Sequence, residues 1–279
     1  MSVKIITDTL SDIPDDVARE LGITLIPLTV SFGHESFLDR VEISAEEFYR
    51  RLIRENVLPT TTQPSPAAFA NAYNKLAKET GEILVITVSN KLSGTYQSAT
   101  NAKNLVEGDC RIEVIDSQKV IMAFGLVVIA AAKMAKTGAG LDEIISGVNA
   151  RLANSQLVAL FDTLKYLAKG GRIGKAQGLV GSMLSVKPIL TMKDGEMSPL
   201  TRVRSRTAGL DYLYNTVATT KNIESIGVEY CTTPEDSEFL IRRFSSILPR
   251  ENIYQSIVCP VVGTYSGPGA IAVSIMQKP

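Results

Sequence analysis

Residues 83–96 read Ile-Leu-Val-Ile-Thr-Val-Ser-Asn-Lys-Leu-Ser-Gly-Thr-Tyr. The apolar, β-branched run Ile83 to Val88 predicts a strand, and the hydroxyl-rich Ser89 to Tyr96 predicts a loop feeding a helix that begins near Gln97. The same grammar recurs upstream. Val3 to Thr7 reads as a strand running into Asp8-Thr9-Leu10-Ser11-Asp12, with Pro14 at a first helical turn and Val17 to Leu21 continuing the helix. Ile23 to Phe32 reads as the next strand. Ser44 with Glu47 predicts a capping box opening a helix through Ile53, Ser65-Pro66 opens another through Leu76, and Ile112 to Ile115 predicts a further strand. Strands alternating with helices at this spacing imply parallel βαβ units, whose ligand crevice lies beyond the carboxyl ends of the strands.

A second region begins near Ser155, with strands expected at Leu157 to Phe161, Ile223 to Tyr230 and Gln255 to Val262 and a helix over Asp236 to Ile247. The expectation is an α/β protein of two domains: residues 1–155, three-layered around a mostly parallel sheet, and residues 156–279, built on a mixed sheet. The 279 residues fit that count at about 100–200 residues per domain. Apolar residues make up 45% and charged residues 21%, which fits a globular chain and neither a disordered one nor a membrane bundle. Twenty-nine basic residues balance 29 acidic ones, so no overall basic field favours nucleic acid or anionic lipid. Cys110, Cys231 and Cys259 are odd in number and lie in strand-like runs, which predicts buried thiols in a reducing compartment. With no secretion signal at the start of the sequence, the cytoplasm is the expected location. Val120 to Ala132 is the longest apolar run, short of the roughly 20 residues a membrane span needs, and reads as a buried helix.

Several chemistries fail on residue supply. The one histidine, His34 in Phe-Gly-His-Glu, reads as a surface-loop residue, with no second histidine or cysteine cluster to complete a metal site. No Gly-x-Ser-x-Gly elbow accompanies it for Ser-His-Asp hydrolysis. Gly170-Gly171-Arg172-Ile173-Gly174-Lys175 misses a phosphate loop in glycine spacing, and Ala176 stands where Ser or Thr would hold magnesium. No Gly-x-Gly-x-x-Gly supports dinucleotide binding. Asp8, just past a strand, is placed for a phosphotransferase or hydrolase nucleophile, with Arg172 as its cationic partner, but Leu10 stands where the usual second acid would be.

What remains is a pair of hydroxyl-rich loops, Thr60 to Pro66 and Ser89 to Tyr96, each leading into a helix. Free backbone N–H groups and the dipole at a helix N-terminus favour a carboxylate or phosphate there. Ser65 and Ser93 can equally serve as ordinary helix caps. The loops alone support both readings, and a site for a polar anion is one form of the first.

Taken together, these segments resemble the DegV family of bacterial fatty-acid-binding proteins. The resemblance runs through Thr7 to Pro14, Thr61 to Pro66, Leu92 to Tyr96, Val114 to Ser117, Thr163 to Gly174, Lys187 to Leu190, Arg202 to Ser205 and Gly267 to Ala270. It implies a binding component without a catalytic centre or cofactor of its own. Such a component buries a long-chain fatty acid such as palmitate between two α/β domains. It presents the carboxylate to a separate ATP-dependent kinase for acyl-phosphate formation, toward phospholipid synthesis. By this resemblance Thr62 and Ser93 hydrogen-bond the carboxylate, Thr61, Gly94 and Thr95 shape the site, and Arg172 lies near the carboxylate or engages the kinase and product. Many members carry histidine before Gly-Pro-Gly, whereas this chain has Tyr265, a hydrogen-bond donor that is uncharged at neutral pH. Each buried methylene contributes about 0.8 kcal/mol, so a long acyl chain gains on the order of 10 kcal/mol before ordering costs. Val120 to Ala132 is the expected tunnel wall, with Gly125 leaving room, unless those side chains are ordinary core.

Overall fold

The computed structural model describes residues 2–55, 57–179 and 186–279. The first half runs β1 (Lys4–Asp8), α1 (Asp15–Leu21), β2 (Thr24–Ile26), β3 (Thr29–Phe32), β4 (Glu35–Leu38), α2 (Ala45–Arg54), β5 (Thr60–Thr62), α3 (Pro66–Leu76), β6 (Glu82–Thr87), α4 (Thr95–Ala102), β7 (Arg111–Asp116), α5 (Met122–Lys136) and α6 (Leu141–Ala153). A four-stranded parallel sheet has the order β2-β1-β6-β7. Connections leave β1 and β6 in opposite directions, so a crevice opens between the loops that follow them. Asp8 ties those loops together: its Oδ1 accepts from Leu10 N–H at 3.0 Å and its Oδ2 from Val88 N–H at 2.8 Å.

The single strand expected over Ile23 to Phe32 is two strands. Pro27 has no N–H to donate, and the chain changes sheets around it. β2 pairs with β1 in parallel, while β3 is the centre of a separate antiparallel sheet of order β4-β3-β5. The helix starts follow their capping chemistry. Ser44 Oγ accepts from Glu47 N–H at 3.2 Å, and Ser65 Oγ accepts from Ala68 N–H at 3.2 Å ahead of Pro66.

The second half contains β8 (Ser155–Leu160), α7 (Lys165–Lys169), β9 (Lys187–Lys193), β10 (Glu196–Val203), α8 (Arg206–Thr219), β11 (Ile223–Tyr230), α9 (Pro234–Phe244), β12 (Ile253–Ile257), α10 (Pro260–Ser266) and β13 (Ile271–Gln277). Its six strands form a mixed sheet, β10-β9-β8-β13-β11-β12, in which β11 and β12 run parallel and the other pairs antiparallel. The strand expected over Gln255 to Val262 is corrected here as well. It ends at Ile257, and Pro260, with its preset φ, opens α10.

Side-chain alternation gives this sheet two different faces. Val158, Leu160, Ile226, Val228, Val273 and Ile275 pack into the core under α8 and α9. Leu157, Ala159, Phe161, Ala270, Ala272 and Met276 turn the other way, into the core shared with the first half. Helix α5 lies between the sheets, touching β1 on one side and β8, β11 and β13 on the other. A helix apolar all round is one buried on all sides, which accounts for the run Val120 to Ala132. Gly125 has a different role from the one expected. A Cβ there would collide with the carbonyl oxygen of Ser11, so the glycine lets the turn at Thr9–Ser11 approach the helix and leaves no room for a ligand.

Candidate functional site

The face of the six-stranded sheet that looks toward the first half carries small residues in register. Ala159 on β8 pairs with Ala272 on β13, which pairs with Glu229 on β11, and one step along, Leu157, Ser274 and Gly227 form the next row. Two alanines side by side leave the sheet surface low where larger side chains would fill it. Above this floor lies a predominantly apolar cavity of about 80 Å³. Leu10, Val120 and Ile121 close it from the first half and Phe161, Val258 and Val262 from the second. Helix α5 itself supplies none of its lining. The wall comes from the two residues just before it. Ile121 is held at φ 51° and ψ −149°, a region that suits glycine and is strained for a β-branched residue. Its N–H bonds to Leu10 O at 2.8 Å, and the next N–H, that of Met122, bonds to Glu229 Oε1 at 3.1 Å.

Polar side chains gather where this cavity opens. Tyr265, on α10, and Arg172, just after α7, both line it, with the guanidinium 4.9 Å from the centre of the phenol ring. Tyr265 reaches across to β5, where its hydroxyl lies 2.5 Å from Thr61 Oγ1. The ring lies against Gly170, and that of Tyr166 against Gly267. A Cβ on either glycine would overlap the ring, which explains glycine in both the Gly-Gly-Arg and Gly-Pro-Gly segments. Arg172 donates through Nε to Leu92 O at 3.3 Å and through Nη1 to Gly170 O at 2.8 Å, bringing the loop after β6 to the same place.

In that loop Ser93 Oγ and Thr95 Oγ1 are 2.8 Å apart. Helix α4 starts at Thr95, two residues earlier than expected, and its N-cap is Gly94, which offers no side-chain cap to the freed N–H groups. Ser93 therefore does not cap α4, whereas Ser65 does cap α3. The first N–H groups of α4 have no partner within the helix and remain available to an anion. Gln63 packs against Gly94 so closely that a Cβ would sit 2.8 Å from Gln63 Nε2. Of the expected site residues, Arg172 and Tyr265 thus line the cavity, Thr61 is bonded to Tyr265, and Ser93, Gly94 and the buried Thr95 follow Leu92 in the loop that Arg172 contacts. Thr62 is exposed, and strand alternation turns its side chain to the face of β5 opposite Thr61.

Asp8 lies elsewhere, wholly buried, with both oxygens accepting backbone N–H groups. Burial pushes its pKa up to about 7. That arrangement fastens two strand ends and presents no nucleophile. Asp12, likewise raised to about 7 by burial, accepts from Cys259 N–H at 3.1 Å and joins the two halves of the chain. His34 is exposed in the β3–β4 turn. Among the described residues no group of three or more His, Cys, Asp or Glu could hold a metal ion, and no helix is long and apolar enough to cross a membrane.

Glu229 went unnoticed in the sequence. It is fully buried, it lines the cavity, and burial raises its pKa to about 8. The available signal was an acid inside the apolar strand Ile223 to Tyr230, where a carboxylate is costly without partners.

Comparison with known proteins gives one consistent answer. The family model described as "Uncharacterised protein, DegV family" matches residues 2–278. A DegV domain-containing protein of Caldanaerobacter subterraneus subsp. tengcongensis is 37% identical over 284 aligned residues, covering 99% of each chain. Among solved structures, a DegV family protein from Thermus thermophilus described for its fatty acid binding superposes with TM-score 0.90 at 29% identity, over 99% of this chain and 100% of that one. A stearic acid-binding protein from Eubacterium ventriosum superposes with TM-score 0.89 at 26% identity, over 99% of this chain and 98% of the other.

Proposed function

The chain belongs to the DegV family, and from that premise we propose that it binds a long-chain fatty acid in the cavity above the Ala159–Ala272 floor. The observation that carries the reading is the shape of the site. An apolar cavity is lined at one end by Arg172 and Tyr265, and the hydroxyls of Thr61, Ser93 and Thr95 and the start of α4 lie next to these two. A methylene chain gains from burial in the first part and a carboxylate from hydrogen bonds in the second. In this reading Arg172 supplies charge to the carboxylate, Ser93 and Thr95 donate to it, and the N–H groups at the start of α4 face it. Thr61 and Tyr265 hold the opposite side, Gly94 allows close approach, and Thr62 lies just outside. Residues 1–155 and 156–279 act as two lobes meeting on the acyl chain.

The finer role follows from the mouth. A carboxylate held at an exposed arginine is accessible to a second protein, so the chain presents its ligand to a separate ATP-dependent kinase for acyl-phosphate formation in the cytoplasm. It performs no phosphoryl transfer itself and needs no cofactor. Calorimetric titration of delipidated protein with C14 to C18 fatty acids, with a sugar phosphate as competitor, tests the ligand. Saturable binding of the acids that the sugar phosphate does not displace is expected. Displacement by the sugar phosphate would favour a polar-anion site, and ATP turnover by the chain alone would overturn the non-catalytic role.

A further inference from the structure

Glu229 is an acid on the wall of an otherwise apolar cavity, and half of its carboxyl is unaccounted for. Oε1 accepts two hydrogen bonds, from Met122 N–H at 3.1 Å and from Ser274 Oγ–H at 2.6 Å. Oε2 is buried and has no hydrogen-bond partner among the described residues. Burial favours its protonated form, raising the pKa to about 8. With Oε1 occupied as an acceptor, the proton sits on Oε2, which makes that atom a donor without an acceptor. Such a group costs free energy until something accepts from it. Helix capping of α5 explains Oε1 and leaves Oε2 unexplained. Glu229 shares the lining of the cavity with Ala272, its neighbour across the strands, and with Ala159.

We propose that Glu229 is a polar subsite along the acyl path, selecting fatty acids oxygenated within the chain, whose hydroxyl or oxo oxygen accepts a hydrogen bond from Oε2. A hydroxyl there can also donate back to the carboxyl, so both partners are satisfied. Arg172 and Tyr265 mark the mouth of the same cavity. With the carboxylate anchored there, only an oxygen at one or two neighbouring chain positions can reach Glu229. The inference rests on the fatty-acid reading above.

The test is calorimetric titration of delipidated protein with stearate and a positional series of monohydroxystearates. A purely apolar tunnel would weaken every isomer about ten-fold or more relative to stearate, because each hydroxyl would be buried unpaired. The expected result is that one or two adjacent isomers escape this loss and bind at least as tightly as stearate. Glu229→Leu should restore the ten-fold loss for those isomers, measured against stearate bound by the same variant. Glu229→Gln, which keeps the acceptor for Met122 and Ser274 and carries N–H donors in place of Oε2, should retain the preference. If Glu229→Leu does not fold, the wild-type series and Glu229→Gln still decide. Uniform weakening of all isomers in the wild type would overturn the subsite alone. Failure of stearate itself to bind would overturn the fatty-acid reading and the subsite with it.

Discussion

Replacing Ala159 by leucine adds three carbon atoms to the cavity floor without touching the mouth. Ala159 is buried on β8 with its side chain in the cavity lining, opposite Ala272. If an acyl chain occupies that space, three of its methylenes lose their place. At about 0.8 kcal/mol each, the loss is about 2.4 kcal/mol, or roughly 50-fold in affinity for a chain long enough to pass this point. A shorter chain that ends before it loses less, so the ratio of stearate to myristate affinity should fall. Titration of both acids into wild-type and variant protein measures that ratio, with thermal unfolding to confirm that the variant is folded. Equal weakening of the two acids, or no weakening of either in a folded variant, would refute the placement of the chain over Ala159.

Other expectations concern the mouth, the framework and pH. Ser93→Ala removes a hydroxyl whose observed partner is Thr95 Oγ1, so fatty-acid affinity should drop about five- to ten-fold with the unfolding temperature unchanged; wild-type affinity would take Ser93 out of the site. Gly125→Ala pushes a Cβ onto the Ser11 carbonyl between two packed sheets, and urea unfolding should show a loss of about 1–3 kcal/mol or more; unchanged stability would contradict the close approach. Glu229 is raised from 4.5 to about 8, so its neutral form stabilises the fold fully below its unfolded value, and that contribution is lost as pH rises toward 8. Glu229→Gln lacks this titration, so the stability of the variant relative to wild type should rise between pH 5 and pH 8 by on the order of a few kcal/mol. Parallel stability curves for the two proteins would show that Glu229 does not titrate in this way.

The elements that the sequence made readable are those whose local chemistry and tertiary setting agree. Ser65-Pro66 marks a helix start by capping and by a fixed φ, and α3 spans Pro66–Leu76 as expected. The run Ile83 to Val88 is a buried central strand, and β6 covers Glu82–Thr87. Where a proline redirected the chain, the apolar pattern misled: Ile23 to Phe32 continues in hydropathy across Pro27 while the backbone changes sheets, and Gln255 to Val262 continues across Pro260 while a helix begins. The hairpin of β9 and β10 and the strand β13 went unread, though β13 pairs with both β8 and β11 and supplies the centre of the second sheet. Sequence does not state such long-range pairing.

The site divides in the same way. Hydroxyls beside glycine in Leu92 to Tyr96 pointed to the mouth, because the chemistry lies within one loop. Gly125 was read as room for a ligand, when a turn more than a hundred residues away occupies that room. Choosing between Thr61 and Thr62 as the neighbour of Tyr265 needs the register of a three-residue strand, which pairs Thr61 with Val30. Glu229 needed the knowledge that β11 faces a cavity on one side only.

The central claim is that this chain holds a fatty acid, and native mass spectrometry of freshly purified protein, followed by organic extraction of whatever is released, tests it most directly. The account predicts a stoichiometric adduct that extracts as a long-chain fatty acid, or, from protein recovered empty, full occupancy after adding C14 to C18 acids. Protein that is empty and takes up none of them would contradict it.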